Sequence, residues 1–259
     1  MDTPTTDDVA SREQVTLSTG QTVSLPLSTT ATMTSVVVPA ALDGVRPLLP
    51  TELSPIRIGP TTATVAFLSV EYHSVDGGTI EPYNEFGVLV PAFRDASNSG
   101  FRGRLPSGIG GYVWYLPVTT EPARALGEEI WGYPKVTGEI EITDTGGYRH
   151  TTVSVDGEHL LTIEIDRPSS LPVEPSVRAE SYTVQDGTVL REPLSFSGQF
   201  GIWPLSTRLS HTLGTHPRAD VLRELSLGNR ALVRCHGTGT FEIHPGTPID
   251  GKRESSRSR

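Results

Sequence analysis

The sequence predicts an α+β chain: mostly antiparallel β, in a curved or barrel-like sheet, with a few short helices. Three observations carry this. Short β-branched or alternating stretches recur along the chain. Residues 151–155 and 159–165 flank Asp156-Gly157, the turn chemistry of a type I′ hairpin. Helical spacing of apolar residues is confined to three short stretches.

In order, Val36-Val37-Val38 reads as a strand, because β-branched side chains fit a pleated surface. Residues 41–49 suit a short helix. Residues 62–72 alternate and are rich in Thr and Val, and 86–90 and 111–118 are further strands. The Ser-, Asn- and Gly-rich stretch 95–111 reads as a mobile loop. Residues 121–130 open with Glu-Pro and hold Ala123, Ala125 and Leu126, a helical pattern. In 138–143, Ile140 and Ile142 alternate with Glu139 and Glu141, as in a half-buried strand. A helix over 217–227 has Pro217 in its first turn, Val221, Leu222 and Leu225 on one face, and Gly228-Asn229 as its stop. Residues 230–235 and 240–243 read as a strand pair. The polar segments 1–12 and 251–259 read as disordered tails, leaving 13–250 as a single domain.

Hydrophobic content of 36% and charged content of 20% fit a globular chain. No apolar run approaches the ~18 residues of a membrane span, and the acidic N-terminus lacks a signal pattern. The single cysteine, Cys235, excludes an intramolecular disulfide and fits a cytoplasmic location; its apolar setting reads as inert core. A net charge of −9 disfavours nucleic acid and anionic membranes as partners. The seven histidines show no metal-ligand spacing. Gly108-Ile109-Gly110-Gly111 lacks the strand-before, helix-after context of a nucleotide site. The expectation from these patterns is no metal and no cofactor.

Only two of the 21 basic residues are lysines. Lys252 lies in the polar tail; Lys135 closes Glu128-Glu129-Ile130-Trp131-Gly132-Tyr133-Pro134-Lys135. Lysine can form a Schiff base and lose its proton; arginine can do neither near neutrality. A free amine of pKa ~10.4 is neutral at pH 7 in roughly one molecule in a few thousand. Lowering that value by ~3–4 units requires about 4–5 kcal/mol of ammonium destabilisation. Gly132 and Pro134 pin the backbone and the aromatic Trp131 and Tyr133 could wall off water, whereas Glu128-Glu129 would favour the ammonium if they face it. Two readings stay open: a buried nucleophile, or a solvent-facing lysine after a Tyr-Pro turn in an Arg-rich chain.

The segment Glu121-Pro122-Ala123-Arg124-Ala125-Leu126-Gly127-Glu128-Glu129-Ile130-Trp131-Gly132-Tyr133-Pro134-Lys135 resembles the active-site segment of the acetoacetate decarboxylase family. Weaker matches follow in family order: Val36 to Asp43, Val65-Ala66-Phe67 with His73, Tyr83-Asn84-Glu85-Phe86-Gly87, and Thr207-Arg208-Leu209. The resemblance implies a curved antiparallel barrel, a homo-oligomer, and a lyase acting on a small keto acid through a Lys135 imine. Decarboxylation is the first expectation; an aldolase, dehydratase or cyclase using the same imine, or a non-catalytic binder, are the alternatives. It further implies Glu85 as a proton shuttle or carboxylate positioner, against a strand-end surface acid. Arg208 is a candidate carboxylate clamp or a structural ion-pair partner. Tyr133, Glu129 and His73 complete the expected substrate-binding set, with core packing the alternative for Tyr133 and orientation of the Lys135 loop for Glu129. The sequence departs from the family at three places: Val136 stands where a second lysine is expected, Leu68 where an acidic residue is expected, and Ala31 near an expected arginine.

Overall fold

The computed structural model describes residues 13–94, 109–169, 176–206 and 209–249. Both expected tails, most of the expected loop at 95–111, and Arg208 lie outside the described residues. The chain runs β1 (Glu13–Thr16), β2 (Thr22–Leu25), β3 (Leu27–Ala41), α1 (Leu42–Val45) continued by a 3-10 turn (Arg46–Leu48), β4 (Leu53–Pro55), β5 (Thr62–Val75), β6 (Tyr83–Arg94) and β7 (Ile109–Val118). It continues through α2 (Glu121–Trp131), β8 (Lys135–Thr137), β9 (Glu139–Thr145), β10 (Tyr148–Val155), β11 (Glu158–Asp166), β12 (Ser176–Gln185) and β13 (Thr188–Ser206). It ends with β14 (Leu209–Leu213), α3 (Pro217–Glu224), β15 (Ala231–Ile243) and β16 (Thr247–Pro248).

Seven strands close a barrel in the order β6-β5-β3-β15-β13-β12-β7, with β7 returning to β6. Every contact in the ring is antiparallel except β7 with β12. A second sheet, β14-β11-β10-β9, covers one outer face.

The period-2 alternation sorts side chains into two cores. Val36, Val38, Phe67, Phe86 and Val88 point outward and pack with Val153, Leu161 and Ile163 of the second sheet and Leu222 of α3. Their strand neighbours point inward: Ala31, Val70, Tyr72 and Leu116 fill the barrel, together with Leu126 and Trp131 of α2. None of these strands can therefore slip by one residue without exchanging the two cores.

The predicted hairpin is present, with Asp156 at φ 54° and Gly157 at φ 75°, the left-handed pair that a type I′ turn requires. Residues 230–243 differ from the expectation. From Ala231 to Ile243 they form one continuous strand, β15, instead of two paired strands. The glycines that suggested a turn serve close backbone approach: a Cβ on Gly237 would overlap Phe200 and the Gln199 carbonyl, and one on Gly239 would overlap the Ser197 carbonyl. A Gly237→Ala substitution is accordingly expected to destabilise the fold by at least about 2 kcal/mol, read as a lower midpoint in denaturant unfolding.

Candidate active site

The site is built around the exit from α2. Thr120 caps the helix, its hydroxyl accepting from the Ala123 N–H at 3.4 Å. The helix stops at Gly132, which takes the left-handed conformation (φ 65°) open to glycine. The N–H groups of Gly132 and Tyr133 return to the carbonyls of Glu128 and Gly127 at 3.0 and 3.1 Å. Lys135 then enters β8 beside Leu116 of β7. Its side chain lies back across the helix: a Cβ on Gly127 would sit 2.6 Å from Lys135 Cδ. A glycine in mid-helix costs about 1 kcal/mol relative to alanine, and room for this lysine is what it provides.

Lys135 Nζ meets Glu85 Oε2 at 2.8 Å, and the two side chains are only 5% and 6% exposed. Tyr72 donates its hydroxyl hydrogen to the other oxygen, Glu85 Oε1, at 3.3 Å. The Tyr83 ring lies 5.4 Å from the ammonium and stacks on Tyr72 at 4.5 Å. Burial, reinforced by the charge of Glu85, pushes the Tyr72 and Tyr83 phenols well above their ordinary value, so both stay protonated at neutral pH.

Strand register surrounds this pair with apolar side chains. From Lys135 the row of paired residues runs along the sheet through Leu116, Gly87, Leu68, Ser35 and Cys235. The row through Glu85 continues to Val70, Met33 and Gly237. Met33, Ser35, Leu68 and Leu89 are half-buried, whereas Lys135 and Glu85 are buried. Among the described residues of these two rows, the only charged side chains are Lys135 and Glu85.

A second buried carboxyl lies behind this wall. Glu192 of β13 is fully buried and accepts from the Ser181 hydroxyl at 2.8 Å; Ser181 Oγ is in turn 2.8 Å from the Tyr133 hydroxyl. Burial is the first cause that raises its carboxyl to about 7, and its contacts with the Thr183 and Ser181 hydroxyls only partly offset this. The Tyr133 phenol is pushed well above its ordinary value, first by burial and then by the nearby Glu192 charge.

Of the residues expected from sequence, the structure brings Lys135 and Glu85 into contact and places Tyr133 beside them, with its hydroxyl turned to Ser181. Glu129 is elsewhere: it is exposed and accepts from the Ser18 N–H at 3.0 Å, tying α2 to the β1–β2 turn. His73 is also outside the site. It lies on the face of β5 opposite Leu68, Val70 and Tyr72, and its Nε2 is 2.8 Å from Thr32 Oγ1. Arg208 lies outside the described residues. Tyr72, Tyr83, Gly127 and Glu192 were not anticipated. The motif glycine at 127 was the one legible signal among them, since a glycine inside a helical pattern asks for a packing reason. A surface concavity of about 950 Å³ between Arg46, Arg57 and Phe93 includes none of these residues. Among the described residues, no group of three His, Cys, Asp or Glu is placed to hold a metal.

Comparison with known proteins gives a consistent picture. A profile of the family described as "Acetoacetate decarboxylase (ADC)" matches residues 14–249. No curated protein matches the sequence. Among solved structures, the enduracididine biosynthesis enzyme MppR superposes with a TM-score of 0.62 at 16% identity, covering 86% of this chain and 87% of its own. Acetoacetate decarboxylase from Legionella pneumophila gives 0.59 at 16% identity, over 94% and 93% of the two chains. A further acetoacetate decarboxylase structure gives 0.57 at 19% identity, over 86% and 89%. At these identities the likeness establishes the fold.

Two outcomes follow from the geometry. Gly127→Ala is expected to displace the Lys135 side chain from Glu85 by about 1 Å, which lowers the rate of any Lys135 chemistry by roughly 10²-fold while the circular dichroism spectrum stays unchanged. The second concerns stability. The folded chain holds the Glu192 proton more tightly than the unfolded chain does, the ordinary value being 4.5 and the folded value about 7. Stability from this group is therefore fully present below about pH 4.5 and is lost as pH rises to about 7, an upper estimate of about 3 kcal/mol. Unfolding measured from pH 4.5 to 8 is expected to show this loss in the wild type relative to Glu192→Gln.

Proposed function

The chain belongs to the acetoacetate decarboxylase family, and from that membership we propose that Lys135 is an imine-forming nucleophile, with Glu85 as its proton partner, in an enzyme acting on a keto-acid substrate. The observation that carries this reading is an amine paired with a carboxylate, both buried, on barrel rows whose other described residues carry no charge. As a carbonyl compound displaces water from the pair, the proton passes from the ammonium to Glu85, the amine nitrogen bonds to the carbonyl carbon, and a second nitrogen proton moves to the carbonyl oxygen to give a neutral carbinolamine. Glu85 returns the proton to the departing hydroxyl. Water leaves, and a protonated imine remains. For a β-keto acid, the bond to the carboxylate then breaks, carbon dioxide departs, and the electron pair enters an enamine. Its carbon takes a proton from water through Glu85, and hydrolysis frees the amine.

The apolar wall supports decarboxylation as the first reaction. A carboxylate moved from water against leucines is destabilised, while the carbon dioxide formed is neutral. None of the charged side chains described on that wall, apart from Lys135 itself, is a cation that would hold the carboxylate. The same wall supports a substrate whose non-reacting end is apolar, an aryl or branched alkyl group. Two of the positions where this sequence departs from the family pattern, Ala31 and Leu68, belong to the barrel-interior cluster. The alternative reaction, carbon–carbon bond formation through the same enamine, is favoured by one observation. A structural neighbour, MppR, is described in complex with pyruvate and with the condensation product of pyruvate and imidazole 4-carboxaldehyde.

The test is borohydride trapping with acetoacetate, pyruvate and benzoylacetate. A mass shift on Lys135 is expected, largest with benzoylacetate, together with release of carbon dioxide. Lys135→Ala and Lys135→Arg are both expected to abolish the adduct, because neither offers an addable amine. No adduct with any of the three compounds would sink the enzymatic reading in favour of a binding protein. An adduct without carbon dioxide would favour the condensing reaction.

A further inference from the structure

Thr183 reveals the state of the buried carboxyl. Its Oγ1 lies 2.7 Å from the Trp131 carbonyl oxygen and 2.8 Å from Glu192 Oε1. A hydroxyl has one hydrogen, and a carbonyl oxygen can only accept. Thr183 therefore donates to Trp131, and the contact with Glu192 is a hydrogen bond only if Glu192 Oε1 carries the proton. On the other side, Glu192 Oε2 accepts from Ser181, and Ser181 Oγ then accepts from the Tyr133 hydroxyl. Donors run in one direction, from Tyr133 through Ser181, Glu192 and Thr183 to the Trp131 carbonyl, and every hydroxyl in the chain is satisfied. An ionised Glu192 leaves the chain one hydrogen short, in a place that water does not reach.

The two ends of this chain sit on Trp131 and Tyr133, which bracket Gly132 and lead directly into Pro134 and Lys135. We infer that Glu192, as the neutral acid, is a positioning residue for Lys135: its one proton fixes Thr183 on the Trp131 carbonyl and Ser181 on the Tyr133 hydroxyl, and so holds both sides of the segment that delivers the amine to Glu85. The inference rests on the imine-forming reading of Lys135 for its kinetic consequence, but not for its structural one.

The surroundings of Glu192 agree. From the α2–β8 connection, the titratable group that approaches is Tyr133, with Glu85 beyond it. From β12 the hydroxyls of Ser181 and Thr183 face it. From the segment after β15, Gly246 adjoins it, and the carbonyl of His244 accepts from the Trp131 indole at 2.9 Å. Burial is the first cause of its raised carboxyl, and no cation is among the groups that shift it.

The decisive comparison is Glu192→Gln against Glu192→Ala. Glutamine reproduces the neutral acid: its amide nitrogen donates toward Thr183 and its oxygen accepts from Ser181. Alanine removes both bonds. Three measurements are made on the full chain. Infrared spectroscopy at pH 6 is expected to show a protonated-carboxyl band in the wild type that is missing in Glu192→Gln. Amide exchange at Lys135, whose N–H bonds to the Tyr133 carbonyl at 2.7 Å, is expected to speed up in Glu192→Ala and not in Glu192→Gln. The rate of borohydride-trapped adduct formation with benzoylacetate is expected to stay within about threefold of wild type in Glu192→Gln and to fall by about 10- to 100-fold in Glu192→Ala, in the rate at saturation more than in KM. The wild-type rate is expected to decline as pH rises through the ionisation of Glu192, and the glutamine variant to lose that decline. Glu192→Gln as impaired as Glu192→Ala, a missing infrared band, or Glu192→Ala with wild-type exchange would each overturn the inference. Absence of any adduct in the wild type would instead overturn the imine reading, and the infrared and exchange results would still decide whether the clamp exists.

Discussion

The ion pair between Lys135 and Glu85 is the constraint around which the barrel is arranged. Two opposite charges at 2.8 Å with almost no solvent contact have each lost their hydration, and their mutual attraction offsets that loss only if the remaining polar atoms also find partners. Tyr72 serves the second oxygen of Glu85, and the face of Tyr83 lies toward the ammonium. Removing either charge alone leaves the other buried and unpaired, which costs more than the pair contributes. The pair is thus held as a unit, and any reaction at the amine must begin with a proton moving inside it.

The machinery that brings the two groups together is mostly backbone. Glu85 is delivered by the register of β6 between β5 and β7. Lys135 is delivered by the end of a helix whose two glycines have separate tasks. Gly132 permits the reversal of the chain, and Gly127 clears the path of the lysine side chain. On the outside, Glu129 fastens the same helix to the turn between β1 and β2. The residues nearest the amine in sequence are therefore largely structural, while its ion-pair partner comes from a strand about fifty residues earlier.

The class of fold was legible because alternation survives in β5, β7, β9, β10 and β11, and because Asp156-Gly157 names its own turn. The lengths were less legible. β3 runs for 15 residues, but its first half is Thr- and Ser-rich and shows only Val36-Val37-Val38 as an apolar run. β12 and β13 were not anticipated, since Ser, Gly and Pro interrupt their pattern, and the Gly237 and Gly239 pair resembled a turn. At the site, Lys135 stood out by scarcity and by its motif, and Glu85 by its order in the chain. Tyr72, Tyr83 and Glu192 could not be read from a linear pattern. What makes them part of the site is pairing between strands, and a lone buried acid leaves no mark in sequence. His73 and Glu129 show the converse: a plausible residue type at a plausible spacing, set on the wrong face by a period of two or of 3.6.

The closure of the barrel has a consequence for how the molecule is made. β3 and β15 pair over eleven residues, from Leu27 with Ile243 to Val37 with Val233, so the seam joins segments about 200 residues apart in the chain. Contacts of such high sequence separation form late, because a large loop must close before they are rewarded. During synthesis, Glu85 and Lys135 leave the ribosome long before the strand that completes the wall does. Until β15 lands, the barrel is open to water on that side, and a premature stop between Lys135 and β15 would yield a polypeptide holding both members of the ion pair but no enclosure for them.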